Sequence, residues 1–196
     1  MKSGTIVKNV VFSLIGALAL VSVSLLAQGD HEHDNGPRQN ASQKQQYNAL
    51  VKTVREVTEK YKNVAAAEND GYALAFGCVT GDASGAMGMH YVNMANVLDG
   101  ELDANKPEII LYEPLPNGKL RLVGADYLVF ADAWDAKHSE KPELNGQLFH
   151  YFSAPNRFGL PNFYTLHVWA WKDNPTGTFT NWHSNLSCDS FSGDKE

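Results

Sequence analysis

The most unusual segment of the chain is residues 85–94 (GAMGMHYVNM), in which His90 lies among methionines and glycines. Every methionine except the initiator falls within it. Imidazole nitrogen and thioether sulfur together suit copper, so His90 is a candidate metal ligand. The alternative is that the glycines let the backbone turn while the methionines fill gaps in the core. The candidate ligand-binding residues of this segment are Met87, Met89, Tyr91 and Asn93.

A second histidine lies in residues 164–171 (YTLHVWAW), which the alternation of residue types predicts to be a β-strand. Alternation puts His167 on one face with Thr165 and two tryptophans, opposite a conventional apolar face. A histidine within an aromatic surface is typical of a pocket lining. His167 is therefore a candidate metal ligand, and Trp169 and Trp171 are candidate ligand-binding residues. The alternative is a strand buried on both faces, whose histidine hydrogen-bonds a carbonyl group.

Three further polar residues of predicted strands complete the candidate metal ligands. His150 shares a strand face with Leu148 and Phe152, while Glu113 and Asp126 lie at strand ends or bends where a carboxylate can turn inward. Two histidines and a carboxylate form a plausible ligand set for zinc, copper or non-haem iron. Ligands on strands have no fixed spacing, and each carboxylate on its own also fits a solvated surface charge.

An α+β fold is predicted to position these residues. Apolar residues recur at helical spacing over residues 44–67 and predict one long amphipathic helix near the N-terminus. After Gly71, short β-branched and aromatic runs separated by Gly, Pro and Asn predict strands. We therefore expect the helix to pack on a mainly antiparallel β-sheet or a partly closed barrel. The stripe predicted to face the sheet consists of Leu50, Val54, Val57 and Tyr61.

The strand pairings are predicted from the turn sequences. Residues 108–113 and 119–131 flank a Pro-Leu-Pro-Asn-Gly segment, and its Asn-Gly pair favours a tight hairpin turn. Residues 148–152 are predicted to form a further strand. Residues 164–171 are predicted to pair with residues 178–182 across Asp-Asn-Pro-Thr-Gly.

The only cysteines of the chain are Cys78 and Cys188. In an oxidising compartment an isolated pair most simply forms one disulfide, which here ties the C-terminal end to the front of the domain. The alternative is that the two thiolates bind a metal ion.

The N-terminal residues 1–27 have the order of a secretory signal peptide, with lysines before an apolar run that ends in small and polar residues. The alternative is an uncleaved membrane anchor, because the run is close to the ~18 residues that a spanning helix needs. Residues 28–43 are polar and predict a flexible tail. Residues 44–196 are predicted to form a single globular domain, exported to the periplasm or the extracellular space.

The composition narrows the possible partners. A net charge of −6, spread over both signs, argues against nucleic acid and, after signal cleavage, against anionic membrane surfaces. The sequence has no nucleophile elbow, phosphate-binding glycine loop, helix-borne zinc motif, haem attachment motif or calcium loop. These absences lower the expectation of an enzyme. The expected partner is a metal ion or a small molecule, and the oligomeric state stays open.

Several pieces of the chain together resemble a family of exported bacterial proteins that has no established activity. The resemblance spans most of the chain after the signal peptide and implies a single domain plan without a mechanism. Asp126 stands where the family has a glutamate, and His183-Ser184 stands where it has Asn-Pro, which puts a role for His183 in doubt. The matching pieces are MGMHYVN, PEIILYEP, LVGADY, HVWAW and NPTGTF, with Gly71-Tyr72, Cys78 and Cys188.

The sequence supports three hypotheses of function. The first is an exported binding protein that holds copper, zinc or a small ligand in a cleft lined by His90, His167 and Trp169. The second is a metal-dependent hydrolase or oxidoreductase that uses the same histidines with Glu113 or Asp126. The third is a non-catalytic structural or interaction domain. The metal content of the purified protein separates the third hypothesis from the other two.

Overall fold

A computed structural model of the chain describes Met1 and residues 40–81 and 83–193. The predicted signal peptide and residues 28–39 of the predicted tail lie outside these residues. Contacts divide the chain into two compact units, Met1–Pro37 and Arg38–Glu196, and all elements described below belong to the second. Within the described part of the chain, no helix is both long enough and apolar enough to cross a membrane.

The first helix, α1, spans Ala41–Thr58. It begins earlier than the sequence predicted because Asn40 and Gln43 form a capping box. The Asn40 side chain accepts a hydrogen bond from the Gln43 amide at 2.8 Å, and the Gln43 side chain accepts one from the Asn40 amide at 2.9 Å. This reciprocal pair satisfies two backbone donors at the helix start. Residues 40–43 therefore belong to the folded domain and not to the predicted tail.

The prediction of one continuous helix over residues 44–67 is wrong. After α1 the chain forms a 3-10 turn over Glu59–Lys62 and then a second helix, α2, over Val64–Asn69. Asn63 separates them, because its backbone is extended and its side chain accepts a hydrogen bond from the Ala65 amide at 3.2 Å. Asn63 therefore ends the 3-10 turn and caps the start of α2.

The rest of the domain is built around an antiparallel sheet that curls into a half-barrel. Its strand order is β1-β2-β3-β4-β8-β7, and a separate ribbon pairs β5 with β6. The expected α+β class with a mainly antiparallel sheet is confirmed. The strands are β1 Ala73–Gly81, β2 Gly85–Val92, β3 Ile109–Pro114, β4 Leu120–Phe130, β5 Glu143–Leu144, β6 Gln147–Leu148, β7 His150–Phe152 and β8 Phe163–Val168, and the short helices are α3 Met94–Asp99 and α4 Ala131–Asp135.

The predicted hairpin is present as β3 and β4, but the predicted pairing of residues 164–171 is wrong. Strand β8 ends at Val168, pairs along its whole length with β4 and pairs through residues 163–165 with β7. Residues 178–182 form no strand, and the Trp169 amide donates one hydrogen bond to the Thr178 carbonyl at 3.0 Å. The predicted strand over residues 148–152 is also divided, into β6 and β7.

The two faces of the sheet bury different residues. One face of β4 and β8 packs against Leu50 and Val54 of α1. The helix is also held by Arg55, whose Nε donates to the Ala170 carbonyl at 2.6 Å. The opposite face carries the buried polar residues described below. The residues of the helix-facing side of the sheet are Ala125, Tyr127, Val129, Tyr164, Leu166 and Val168.

The disulfide between Cys78 and Cys188 joins β1 to the C-terminal segment, as the sequence predicted. Both cysteines are buried, and the Cα atoms are 5.8 Å apart. The thiolate-ligand alternative is thereby removed, because a disulfide sulfur carries no thiolate charge.

We expect Leu50→Ala to lower the free energy of unfolding by about 2 to 5 kcal/mol, because Leu50 is fully buried between α1 and the sheet. Urea unfolding of the variant measures the loss. Gln45→Ala on the exposed side of the same helix is the control and should change little. Equal stability of Leu50→Ala and the parent would show that α1 does not dock on the sheet.

Thiol labelling of denatured, unreduced protein should detect no free cysteine, because both are in the disulfide. Replacing both with serine removes a cross-link between residues 110 positions apart in sequence. Chain entropy sets the expected loss of stability at about 4 to 5 kcal/mol, as an upper value. Stoichiometric labelling without reductant contradicts the assignment.

Candidate metal site

The centre of the second sheet face is a cluster of two histidines and one carboxylate. His90 lies on β2, Asp126 on β4 and His167 on β8, and all three are at most 4% exposed. One potential ligand atom from each residue lies within 4.8 Å of those of the other two. The His90 and His167 rings are 5.9 Å apart between centroids, which confirms that the two histidines lie close together.

Strand register places these residues together. Asp126 and His167 are direct cross-strand partners, so their side chains leave the sheet on the same face. His167 Nδ1 is 3.5 Å from Asp126 Oδ1. On the other side of β4, Asp126 is paired with Ile109 of β3. His90 lies on β2, which is the next strand beyond β3. The cluster thus draws on three strands that are distant in sequence.

The backbone of β2 fixes the orientation of His90. Gly88 has a φ of +83°, and a Cβ there would lie 2.5 Å from the Tyr112 carbonyl oxygen, so only glycine fits. The Gly88 carbonyl lies 3.1 Å from His90 Nδ1. A carbonyl oxygen only accepts hydrogen bonds, so Nδ1 carries the proton. The Nε2 atom of the neutral ring therefore keeps its lone pair for another ligand.

Burial sets the charge of the cluster. Desolvation lowers the pKa of His90 to about 4 and that of His167 to about 3, so both rings are neutral at pH 7. Desolvation raises the pKa of Asp126 to about 6, although the Thr165 hydroxyl, which donates to Asp126 Oδ1 at 2.5 Å, opposes the rise. Neutral imidazoles and an ionised carboxylate are the forms that bind metal ions.

His167 differs from His90 in its lack of hydrogen bonds. Both of its ring nitrogens are buried without a hydrogen-bond partner. The side-chain oxygen of Asn181 is also buried without one. Asn181 lies close enough to raise the pKa of His167 against the larger effect of burial, without forming a well-aligned hydrogen bond. Buried polar atoms without partners cost free energy. A metal ion bound to one nitrogen, with the other donating to Asn181, would satisfy all three atoms.

A small cavity of about 30 Å³ adjoins the cluster. Its polar lining consists of the three cluster residues and Thr165, and the remaining lining is apolar. The apolar residues are Phe76, Met87, Ile109, Leu128, Phe152, Phe158, Leu160 and Phe163.

The two other predicted metal ligands lie apart from the cluster. Glu113 is held by Lys172, 2.7 Å away, and by Arg121; these hydrogen bonds outweigh burial and lower its pKa. His150 is exposed, and its Nε2 lies 3.2 Å from the Phe179 carbonyl. Glu113 thus forms a structural ion-pair network. His150 lies at the edge of the sheet, where it does not reach the buried carboxylate.

The structure brings one of the predicted ligand-binding residues of the methionine segment to the cavity. Met87 lines the cavity, whereas Met89 is buried in the apolar core. The Tyr91 ring packs 5.0 Å from that of Tyr112. Asn93 caps α3 by accepting a hydrogen bond from the Ala95 amide at 3.0 Å, so its role is structural.

The two predicted tryptophans also separate. The Trp169 ring lies 5.6 Å from His167 and 5.0 Å from His183, between centroids, and its Nε1 donates to the Thr180 carbonyl at 2.7 Å. Trp169 therefore supports the cluster from outside the cavity. Trp171 donates to the Thr58 hydroxyl at 2.9 Å and belongs to the helix-facing side of the domain.

Sequence reasoning did not assign functional roles to Thr165, Asn181, His183 and Glu108. Thr165 shares the strand face of His167, so the alternation of residue types along the strand could have identified it. His183 is fully buried, and its backbone forms an isolated β-bridge with Ala86. Its Nε2 has no hydrogen-bond partner. Nothing in the local sequence distinguishes Asn181 or Glu108 from surface residues.

Glu108 is a buried carboxyl group outside the cluster, and burial raises its pKa to about 8. Its Oε2 accepts a hydrogen bond from the Leu128 amide at 3.1 Å. In the unfolded chain this group ionises near pH 4.5. Between pH 4.5 and about pH 8 the Glu108 carboxyl group is protonated in the folded state and ionised in the unfolded chain. The free energy of unfolding therefore falls as the pH rises through this range, and it levels off above it.

We expect Glu108→Gln to remove this decline. Between about pH 7 and pH 8 the parent should lose about 1 kcal/mol of unfolding free energy per pH unit, and the variant should lose almost none of it. Urea unfolding across that range measures both slopes. Glu140→Gln, at an exposed position, should keep the parental slope. Equal slopes for Glu108→Gln and the parent would mean that Glu108 is ionised in the fold.

Comparisons with protein-family models, with curated proteins and with solved structures found no match.

Proposed function

We propose that the protein is an exported metal-binding protein that holds one copper or zinc ion at His90, Asp126 and His167. The observation that carries the proposal is the convergence of three buried ligand side chains from three strands within 4.8 Å. The signal-like N-terminal sequence and the disulfide support export.

The donor set indicates the class of metal. Two imidazole nitrogens and one carboxylate oxygen suit zinc, divalent copper and non-haem iron, whereas calcium and magnesium favour oxygen ligands alone. Met87 lines the same cavity, and a thioether nearby favours copper further. The neutral imidazoles need no deprotonation to bind.

The surrounding residues support binding by orienting the ligands. The Gly88 carbonyl fixes the His90 ring through Nδ1, and Thr165 fixes Asp126 through Oδ1. The side-chain oxygen of Asn181 is suited to accept a hydrogen bond from a ring nitrogen of His167. Hydrogen bonds of this kind set the tautomer and direction of metal-binding side chains.

The second candidate is a metal-dependent enzyme that uses the same three residues. Three protein ligands are the usual number in catalytic zinc sites, where the remaining position takes water or substrate. When bound, the metal would supply Lewis acidity at that position. Turnover of a substrate separates this candidate from a binding protein.

Calorimetric titration of the purified protein with copper and with zinc tests the proposal. His90→Ala and His167→Ala should each weaken binding at least tenfold, about 1.4 kcal/mol, because each removes one ligand. Asp126→Asn should weaken binding similarly while keeping the shape of the side chain. His138→Ala and His150→Ala, both at exposed positions, should bind like the parent.

Thermal unfolding of every variant checks that the domain still folds. Binding of neither metal by the parent would contradict the proposal and favour a structural or interaction domain. Parental affinity in both folded histidine variants would place any metal elsewhere in the protein.

A further inference from the structure

A second small cavity adjoins the one at the metal cluster. Its volume is about 40 Å³, and every residue that lines it is apolar. The two cavities share four lining residues, so they lie side by side in the core. The shared residues are Phe76, Ile109, Leu128 and Leu160.

The second cavity reaches toward the protein surface. Met94, at the start of α3, lines it and is 52% exposed. A small molecule that enters beside Met94 meets an apolar surface as far as His90, Asp126 and His167. The path runs along the sheet face opposite α1.

A loop of residues 153–162, between β7 and β8, covers the first cavity. Phe158 and Leu160 of this cover loop are half-buried and line the cavity, and Phe158 packs edge-on against Phe76 at 5.5 Å between ring centroids. Arg157 Nη1 donates to the Thr80 carbonyl at 2.8 Å and fastens the loop to β1. Asn156 Nδ2 braces it from within by donating to the Leu160 carbonyl at 2.9 Å.

The chemistry of the lining selects a neutral apolar ligand. Outside the metal cluster the only polar group is the Thr165 hydroxyl, and its proton is already donated to Asp126. A polar or charged molecule would lose its hydration without gaining hydrogen bonds from the lining.

The size of the cavities selects a very small ligand. Drug-sized ligands occupy pockets of about 300 to 1,000 Å³, whereas these cavities measure about 30 and about 40 Å³. One water needs about 10 to 15 Å³ on the same measure. The space therefore fits a molecule of two heavy atoms.

We propose that the joined cavities bind a neutral diatomic molecule of the dioxygen class beside His90, Asp126 and His167. Contact of that molecule with a metal ion rests on the proposed function, whereas its binding in the cavities does not. Phe76, Leu128 and Leu160 form the passage between the cavities.

Dissolved dioxygen itself is the probe, because it is paramagnetic and accelerates the relaxation of nearby methyl protons. Methyl NMR spectra of the metal-free and the zinc-treated protein are recorded under nitrogen and under dioxygen pressure. The Ile109 and Leu128 methyl groups should relax at least threefold faster under dioxygen than those of Leu50. Leu50 is the matched control, because it is buried like Ile109 and Leu128 but packs on the helix side of the sheet.

Two variants test the passage. Leu160→Phe should reduce the dioxygen effect at Leu128 to the level of Leu50, and Leu160→Ala should increase it. Leu98→Phe, at an exposed position that lines neither cavity, should leave it unchanged. Unchanged Leu50 methyl shifts show that each variant is folded.

The outcomes distinguish this inference from the proposed function. A dioxygen effect at Leu128 in a protein that binds neither zinc nor copper supports the apolar site and overturns the metal-binding function. Zinc binding with equal dioxygen effects at Leu128 and Leu50 overturns the apolar site and leaves the metal-binding function standing. An effect at Leu128 that Leu160→Phe does not change also overturns the passage described here.

Discussion

The burial of β4 and β8 on both faces is the constraint on which the rest of the structure depends. All residues of β8 are buried, so polar residues on the face away from α1 lose their water as fully as the apolar residues beside the helix. Asp126 and His167 are therefore held where ionisation is costly. Their pKa values move in opposite directions, upward for the carboxyl and downward for the imidazole, and both shifts favour the uncharged form. A bound cation reverses the balance for Asp126 because it stabilises the carboxylate.

The two histidines of the cluster contribute in different ways. His90 is fixed before any ligand arrives, because Gly88 allows its own carbonyl to approach Nδ1. His167 has no such anchor, and its orientation depends on packing against Trp169 and on the Asp126 carboxylate 3.5 Å away. The arrangement combines one preorganised ligand with one whose hydrogen bonds remain to be made. A ligand of the cluster would thus gain binding energy mainly at His167, where buried atoms lack hydrogen-bond partners.

Local sequence patterns predicted those features that depend on neighbouring residues. Alternation along residues 164–168 placed Thr165 and His167 on one face, and Asn-Gly at 117–118 located the β3–β4 turn. The pairing of β8 depends on residues distant in sequence, so the turn signal near residue 175 suggested the wrong partner. Similarly, the break before α2 depends on Asn63, a polar residue that a pattern of apolar spacing does not weigh.

Strand register decides which of the two strand carboxylates joins the histidine cluster. Glu113 and Arg121 are direct cross-strand partners within one hairpin, so their pairing follows once the turn is located. Asp126 faces Ile109 on one side and His167 on the other, and the second contact requires β8 to be placed. The hairpin alone therefore accounts for Glu113 as a structural residue, whereas the role of Asp126 emerges only from the complete sheet.

The apolar surroundings also bear on what the cluster would do if it held a metal ion. An ion held by three protein groups keeps at least one position for a further ligand. Water in that position would have few other hydrogen-bond partners, because the Thr165 proton is committed to Asp126 and the nearby side chains are mostly apolar. Such surroundings weaken the competition of water with a small apolar molecule. The same burial that shifts the pKa values of the cluster therefore also favours ligands that need no hydrogen bonds.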